Sequence, residues 1–327
     1  MTAYLLRRII QIIPTFIGAT LLAFIIIQLS PGDFLTQLEL DPKFTPETIA
    51  RFRQQFGLSE PIWLQYLIWM KNLITGNLGY SFAYQAPVLE IIWPRILNSL
   101  VLVGLATVFL YLVAIPAGVF GATRQYTLGD QVVSFFSYIG LAVPSFFFAL
   151  IIIFVLLQLK FHFQVLPFPI GGMTSSNYDS LTAWGKVGNV LWHAVLPAFV
   201  IVTADIAGLA RVMRGQMLEV LSQDFVRTAR SKGLADRKVI YKHAFRNAII
   251  PFIATIGGLL PGLIGGAGLV EVVMNWPGIT PLLLDAVGQK DIYVIVGFLT
   301  LTTGLLMIGN VLGDLLLAVV DPRIRYN

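Results

Sequence analysis

The chain is organised as long apolar stretches separated by polar connections. Six of these stretches are long enough to cross a bilayer as helices, which takes about 20 mostly apolar residues. They are residues 9–29, 98–122, 132–157, 191–210, 248–270 and 292–313. Only the fourth stretch contains a charged side chain, that of Asp205. The pattern therefore predicts an all-α, polytopic membrane protein with six transmembrane helices.

Composition agrees with this class of protein. Of the 327 residues, 57% are hydrophobic and 12% are charged, which is about half the charged fraction of a soluble protein. Arg7 and Arg8 precede the first apolar stretch, as in a secretory signal peptide. That stretch is too long for a signal peptide, and no small-x-small cleavage site follows Leu29. We therefore expect an uncleaved first helix.

The placement of Lys and Arg predicts the orientation, because the cytoplasmic connections of membrane proteins carry an excess of these residues. If the N-terminus is inside, the cytoplasmic connections contain 14 of the 22 basic residues and the longer outer connections contain the other 8. The cytoplasmic connections are then residues 1–8, 123–131, 211–247 and 314–327. Both termini are predicted to be cytoplasmic.

A long outer connection after the first span divides the chain into two expected parts. Residues 1–97 would contain the first transmembrane helix and an extracytoplasmic helical segment. Residues 98–327 would form a core of five transmembrane helices, with a cytoplasmic hairpin at residues 224–247.

Two short helices are predicted in the extracytoplasmic segment. Thr45 has the pattern of an N-cap, since proline and glutamate follow it, and Gly57 is placed as a stop. A second helix is predicted from Pro61 to about Ile74, with three aromatic residues on one side. These are Trp63, Tyr66 and Trp69. Their spacing is typical of a helix at headgroup depth, and it also fits a docking face for an extracytoplasmic partner.

The fifth apolar stretch is rich in glycine, with six glycines and one proline between residues 257 and 268. Such residues permit close helix packing, or kinks and broken helices that line a path. A carboxylate within a span usually faces a cavity or a partner, although Asp205 could equally form an ion pair with Arg211 or Arg214 or be exposed at the headgroups. The candidate residues of a translocation path are Asp205, Gly257, Gly258, Pro261 and Gly265.

The segment 224–251 is a polar stretch of 28 residues with seven basic and two acidic side chains. Asp224 is predicted to cap a helix that begins at the next residue. Gly233 would end this helix, because glycine readily adopts the positive φ of a helix C-terminus. A second helix would begin near Ala235 and lead into the fifth span. The pattern predicts a helical hairpin, which is stiffer than an irregular loop.

The two halves of this segment resemble a known motif. They read D-F-V-R-T-A-R-S-K-G and H-A-F-R-N-A-I-I-P, and they resemble the integral membrane permeases of ATP-binding-cassette importers. The general motif of those permeases is E-A-A-x-x-x-G, and here Arg227 and Thr228 replace its glutamate and first alanine. Arg246 stands where the general pattern has a proline. The motif with these replacements resembles the version found in the dipeptide/oligopeptide/nickel branch. The N- and C-terminal parts of the chain also look like the B-type subunit of that branch.

The resemblance implies a transmembrane permease subunit that forms half of the translocation path of an ATP-driven importer for peptides or similar small solutes. It also implies a bacterial or archaeal plasma membrane and three kinds of partner: a second related permease, two ATPase subunits and an extracytoplasmic substrate-binding protein. Residues from Phe225 to Lys232 would contact the ATPase, with Gly233 as a hinge. The implied coupling residues are Asp224, Phe225, Arg227, Thr228, Ala229, Arg230, Lys232, Gly233, His243 and Arg246.

The residues of the chain indicate no enzyme activity of its own. Because no G-x-x-x-x-G-K-[ST] motif occurs, ATP and Mg²⁺ would be bound by the partner ATPases, and no cofactor is expected in this chain. Cysteine is absent and the three histidines lack ligand spacing, so neither a metal site nor a catalytic site is predicted. The basic surface also fits anionic lipid headgroups, and no nucleic acid partner is expected.

Two alternatives stay open beside a peptide importer. A permease for nickel chelates or another small solute has the same sequence pattern, since relatives of this branch handle all of these. An ion-gradient-driven secondary transporter is the alternative of a different class. It would need paired ionisable residues within the spans, and Asp205 is nearly alone there.

Overall fold

The computed structural model describes residues 2–28, 45–55, 59–81, 83–252 and 267–320. Within these ranges the chain is mostly helical. The helices are α1 (Thr2–Gln28), α2 (Pro46–Gln55), α3 (Ile62–Ile74), α4 (Val88–Thr123), α5 (Leu128–Ala142), α6 (Ser145–Phe163), α7 (Ala183–Ile201), α8 (Thr203–Leu221), α9 (Asp224–Ser231), α10 (Asp236–Lys238), α11 (Phe245–Ala248), α12 (Ile279–Gly288) and α13 (Ile292–Val320). Residues 267–273 are helical too.

Two short strands and two short non-α helical segments occur beside these helices. Strands β1 (Tyr80–Ser81) and β2 (Ala86–Pro87) pair antiparallel, with Tyr80 opposite Pro87. Tyr178–Ser180 form a 3₁₀ turn, and Val239–Ala244 are π-helical. The residues pack in two compact units, one from 1–98 and 278–308 and the other mainly from 99–277 and 309–325. The division expected near residue 97 from the sequence stays a prediction.

Among the described residues, three helices are long and apolar enough to cross a membrane: α4, α6 and the 292–313 part of α13. A fourth span is formed if α7 and α8, which are bent by 60° at their junction, are counted together. Helix α1 covers most of the first predicted span. Most of the fifth predicted span, with Gly257, Gly258, Pro261 and Gly265, lies outside the described residues. Six spans therefore stay a prediction.

The third predicted span, 132–157, was wrong as one continuous helix. The chain leaves helical geometry at Val143, whose φ and ψ are −99° and 118°, and Pro144 then precedes α6. A residue before proline is pushed out of the α region by the proline ring, so Pro144 was the signal that ends α5. The membrane-length helix is Ser145–Phe163, which lies later in the chain than expected.

The fourth predicted span, 191–210, was also wrong as one helix, because it is broken at Val202. The backbone of Val202 has φ and ψ of −92° and 4°, and its N–H donates to the carbonyl oxygen of Val200. The hydroxyl of Thr203 donates to the carbonyl oxygens of Phe199 and Val200, each at 3.0 Å. The sequence signal was weak, since only Pro197 within α7 indicated a disturbance.

In the first unit, the predicted helix α2 and its N-cap are confirmed. The backbone N–H of Thr48 donates to Oγ1 of Thr45 at 3.3 Å, and α2 begins at Pro46. Helix α3 is confirmed as well, since it begins directly after Pro61. Gly57, the predicted stop, lies outside the described residues. Local sequence signals were sufficient here because caps and prolines act through the backbone of their immediate neighbours.

Of the three aromatic residues on one side of α3, two are buried in the protein and one is exposed. Tyr66 and Trp69 are buried against Phe24 of α1, with ring centroids 5.6 and 6.3 Å from that of Phe24. The Tyr66 hydroxyl also contacts Oγ1 of Thr20 at 3.0 Å. Trp63 alone is largely exposed. Tyr66 and Trp69 therefore attach α3 to α1, and the expectation that the three rings lie at headgroup depth stays a prediction.

A buried carboxylate holds the β-hairpin of the first unit. Oδ2 of Asp291 accepts hydrogen bonds from the Ser81 hydroxyl at 2.6 Å and from the backbone N–H of Ala83 at 3.3 Å. Its other oxygen accepts from the backbone N–H of Val294 at 3.2 Å, in the first turn of α13. Asp291 is fully buried, so these donors replace the water that its charge would otherwise require.

In the second unit, α4 and α8 pack unusually closely at Gly118. A Cβ placed there would lie 2.5 Å from the Cβ of Met213 and 2.6 Å from the carbonyl oxygen of Ala210. Small residues at such contacts allow helix backbones to approach each other. The close contact fixes α8 against α4, and α8 leads directly to the polar segment that begins near residue 223.

Candidate functional site

The polar segment folds as the predicted helical hairpin, but its first helix begins differently. Gln223 has extended backbone angles and is the N-cap, without a capping hydrogen bond from its side chain, whereas Asp224 is the first helical residue. The Asp224 carboxylate instead lies 3.5 Å from Nη1 of Arg227. The prediction that Asp224 is the cap was therefore wrong by one residue. Its negative charge still lies in the first turn, where the helix dipole favours an anion.

Helix α9 has two distinct faces. Val226 and Ala229, three residues apart, are buried against the second unit. The expected contact surface from Phe225 to Lys232 is correspondingly divided, and Ala229 is not accessible to a partner in this structure. The outward side chains of this helix and its end are those of Asp224, Phe225, Arg227, Thr228, Arg230, Ser231 and Lys232.

The turn at Gly233 is confirmed. Its φ is +73°, and its N–H donates to the carbonyl oxygen of Arg230 at 2.9 Å. A Cβ at Gly233 would have no heavy atom within 4 Å, so the glycine is required for its backbone angle and not for space. Across the turn, Nε of Arg230 lies 3.6 Å from Oδ1 of Asp236.

The second half of the hairpin begins at Asp236 after Ala235, as predicted, but it is not a plain α-helix. Helix α10 continues as the π-helical residues Val239–Ala244 and then as α11. Val239 and Ala244 are both buried although they are five residues apart. In an α-helix with 3.6 residues per turn, residues at that spacing point to different sides. The wider π turn places both on the packed side.

A hydrophobic cluster joins both halves of the hairpin to the membrane-spanning part of the unit. Its buried members come from α4, α8, the hairpin and the residues that follow it. They are Val119, Ala122, Met213, Met217, Val220, Val226, Ala229, Val239, Ala244, Ala248 and Phe252. Because packed interiors are poorly compressible, a displacement of the hairpin would be passed to α4 and α8 and not absorbed locally.

The outer surface of the hairpin is basic and carries aromatic side chains. Phe225 is 42% exposed and Tyr241 is 57% exposed. Their neighbours Arg227, Lys242 and Arg246 are exposed as well, whereas His243 is half-buried. Exposed aromatic groups within a charged surface are typical of protein interfaces, where aromatic residues and arginine contribute most of the binding energy.

The predicted path residues fall into two groups. Gly257, Gly258, Pro261 and Gly265 lie outside the described residues. Asp205 is exposed, and among the described residues it forms no ion pair. The alternative that pairs Asp205 with Arg211 or Arg214 was wrong, because these arginines have other partners.

Those other partners include a carboxylate that the sequence reasoning missed. Nη2 of Arg214 lies 2.8 Å from Oδ2 of Asp130, and the guanidinium of Arg211 lies 5.2 Å from the centre of the Tyr138 ring. Thr127 caps α5 through the backbone N–H of Asp130. This T-x-x-D spacing was a capping signal visible in the sequence. Its pairing with Arg214, 84 residues away, had no such signal.

No group of three metal-ligating side chains occurs in the part of the chain that the structure describes. The ring of His193 is buried and its Nδ1 lies 2.8 Å from the carbonyl oxygen of Asn189, one turn earlier in α7. This histidine is therefore held within its own helix.

The chain is similar to known proteins over its whole length. Residues 114–326 match the family described as binding-protein-dependent transport system inner membrane component, and residues 1–103 match the N-terminal family of the same system. The oligopeptide transport system permease protein AppB of Bacillus subtilis is 40% identical over the full length of both chains. The dipeptide transport system permease protein DppB of Escherichia coli K12 is 35% identical over 100% of this chain and 99% of its own. DppB of Alkalihalophilus pseudofirmus is 34% identical over the full length of both chains.

Proposed function

The chain belongs to the inner membrane components of binding-protein-dependent transport systems, and from this premise we propose that it is the transmembrane subunit of an ATP-driven importer of peptides. It is a multi-pass protein of the plasma membrane. Peptides are the proposed substrate class because several full-length relatives are named as oligopeptide or dipeptide permeases. Nickel chelates or other small solutes are the alternative cargo.

The proposed topology has six spans with both termini in the cytoplasm. Helices α4, α6 and α13 would each be one span, and α7 with α8 a bent one. Helix α1 and the glycine-rich stretch 248–270 would supply the other two. The hairpin would then lie on the cytoplasmic side, in agreement with its excess of basic residues.

The hairpin is the proposed contact with the ATPase subunits. The partners would be a second related permease, two ATPase subunits that bind ATP and Mg²⁺, and an extracytoplasmic substrate-binding protein. Helix α9 would lie in a groove of one ATPase, with Gly233 at the turn behind it. ATP can drive transport only if it binds one arrangement of the ATPases more tightly than the other. Closure of the ATPases would move the hairpin and, through the shared cluster, α4 and α8.

One observation carries this proposal: α9 buries Val226 and Ala229 in its own protein while it presents the ring of Phe225 outward among basic side chains. A helix that only closed a loop would not need an apolar ring on its exposed side. An apolar anchor surrounded by charges is suited to a protein groove with acidic walls.

The test is the variant Phe225→Ala in the complete transporter, with Phe161→Ala as the matched control. Phe161 is 79% exposed at the other end of the predicted topology, at the end of α6. We expect Phe225→Ala to weaken binding of the ATPase subunits by on the order of tenfold and to abolish substrate-stimulated ATP hydrolysis. Phe161→Ala should leave both unchanged, and the thermal unfolding of both variants should match that of the wild type.

Two results would contradict the proposal. The first is an affinity for the ATPase subunits that stays unchanged in Phe225→Ala, or that falls equally in Phe225→Ala and Phe161→Ala. The second is uptake that continues when the ATPase subunits are inactivated, because a transporter driven by an ion gradient would behave in that way.

A further inference from the structure

A pocket with charged side chains in its lining lies between α4, α5 and α8, apart from the outer surface of the hairpin. Its volume is about 140 Å³. Part of the lining is formed by glycine and apolar residues, namely Ala117, Gly118, Gly121, Val133 and Ala210. The polar lining is formed by Asp130, Ser134, Ser137, Tyr138, Arg211 and Arg214. The volume is sufficient for a small polar group, and the charges indicate what that group would be.

Asp130 lacks one of the hydrogen bonds that its burial requires. Its Oδ2 accepts from Nη2 of Arg214 at 2.8 Å and from the backbone N–H of Tyr126 at 3.0 Å. Its Oδ1 is buried and has no hydrogen-bond partner among the described residues, although the side chain is only 6% exposed. Buried carboxylate oxygens are nearly always paired, so the pocket lacks a donor at this atom.

The pocket also has an uncompensated positive charge. The charges of Asp130 and Arg214 offset each other. Arg211 lies against the Tyr138 ring and forms no ion pair in the described part of the chain. The pocket is therefore suited to a ligand with one negative charge and, a few atoms away, a hydrogen-bond donor. A phosphodiester with an attached amine or hydroxyl has this chemistry.

The surroundings favour a ligand attached to hydrocarbon chains. Helix α5, which provides Asp130 and Tyr138, carries exposed apolar side chains at Val132, Phe135 and Phe136. The pocket lies at the end of the membrane-length helix α4, close to the polar connection that begins at Arg124. Phospholipid headgroups occupy this zone of a bilayer, with acyl chains beside the apolar surface.

We propose that this pocket binds the headgroup of a phospholipid, whose phosphodiester pairs with Arg211 and whose amine or hydroxyl donates to Oδ1 of Asp130. Phosphatidylethanolamine and phosphatidylglycerol supply the donor as an amine and as a hydroxyl, respectively. Phosphatidylcholine has the same phosphodiester but no donor on its headgroup. The site does not depend on the transported solute or on the ATPase contact.

The test measures lipid retention by the full complex, purified in detergent and mixed with equal amounts of the three lipids. Native mass spectrometry of the complex then reports which lipids stay bound. We expect phosphatidylethanolamine or phosphatidylglycerol to be retained about tenfold over phosphatidylcholine, because a hydrogen bond to a charged group has about this effect on affinity. Comparison of the two retained lipids identifies the donor as amine or hydroxyl. Inorganic phosphate in the same assay should not displace them.

Two variants and a matched control assign the retention to this pocket. Arg211→Gln removes the partner of the phosphodiester, and Ser134→Leu fills the pocket without changing its charge. Arg124→Gln is the control, because the Arg124 guanidinium also lies on an aromatic ring, that of Phe120 at 5.7 Å, but outside the pocket lining. We expect the first two to lose the preference about tenfold and the control to keep it.

Several outcomes would overturn the proposal. Equal retention of the three lipids would mean that the unpaired oxygen of Asp130 is satisfied by water alone. Displacement by inorganic phosphate would make the pocket a simple anion site. A loss in Arg124→Gln as large as in Arg211→Gln would indicate general attraction between basic side chains and lipid. If Arg211→Gln does not fold, the lipid preference of Ser134→Leu tests the proposal instead.

Discussion

Substitution of Gly233 tests whether the hairpin must be stiff to work. The residue has φ of +73°, and a Cβ there would meet nothing within 4 Å. Gly233→Val therefore introduces backbone strain at a position where an added Cβ has open space.

The magnitude follows from the backbone alone. A non-glycine residue in the left-handed region costs about 1–2 kcal/mol, and a β-branched residue is among the worst suited to it. This cost applies to the folded turn and not to the opened one. The equilibrium population of opened hairpins should therefore rise by roughly 5- to 30-fold.

Hydrogen exchange followed by mass spectrometry measures this opening directly in the purified complex. We expect amides of residues 224–238 to exchange faster in Gly233→Val, and substrate-stimulated ATP hydrolysis to fall. Gly233→Asn should resemble the wild type, since asparagine tolerates positive φ. Gly215→Val is the matched control: Gly215 lies in α8, also has open space around its Cβ, and has no positive φ. It should not increase exchange, because valine is more favourable than glycine in a helix.

Two results would refute this reasoning. Unchanged exchange in Gly233→Val would mean that the turn does not need a left-handed residue. Equal effects of Gly233→Asn and Gly233→Val would mean that the side chain, and not the backbone angle, disturbs the hairpin.

Three other substitutions test separate parts of the fold. Met217→Ala in the buried cluster should lower the free energy of unfolding by about 2–5 kcal/mol, measured by thermal unfolding in detergent. Its control, Val212→Ala on the exposed side of the same helix, should change this free energy by less than about 0.5 kcal/mol. Equal losses in the two variants would contradict the assignment of the cluster. Ser81→Ala removes a donor to the buried carboxylate at the start of α13 and should cost about 1–3 kcal/mol by the same measurement, so an unchanged unfolding temperature would be inconsistent with that contact. Arg230→Glu should change stability by less than about 1 kcal/mol, because both side chains of its pair with Asp236 are more than half exposed, yet it should uncouple transport from ATP hydrolysis. Recovery of coupling by a second change, Asp236→Arg, would show that the pair and not a partner contact was responsible.

The hairpin shows where sequence reasoning is strong and where it ends. Its glycine turn and the start of its second half at Asp236 followed from local rules, since both depend on the backbone preferences of one or two residues. The buried position of Ala229 did not follow, although it is part of the motif. Which face of a short helix is covered depends on packing with other elements, here in the cluster that also contains residues of α4, α8 and the second half of the hairpin.

The errors in the predicted spans have a similar origin. Pro144 ends α5 by a local rule. A search for apolar length alone does not detect it, because the stretch 132–157 contains no charged residue. The break at Val202 is less visible still. Pro197 lies five residues before it, and neither proline nor glycine stands at the break itself.

By itself, the sequence determined that this is a helical membrane protein, that a basic hairpin precedes its glycine-rich stretch, and that its motifs are those of an importer permease. The first two rest on composition and on contacts between near neighbours in the chain, and the third rests on a resemblance to a known family. Only the tertiary structure decided which side chains of the hairpin are buried, that π geometry brings Val239 and Ala244 to one side, and that Asp130 pairs with Arg214. The physical reason is that packing and buried charges depend on residues brought together from distant parts of the chain, and hydrophobic patterning specifies helices but not their partners.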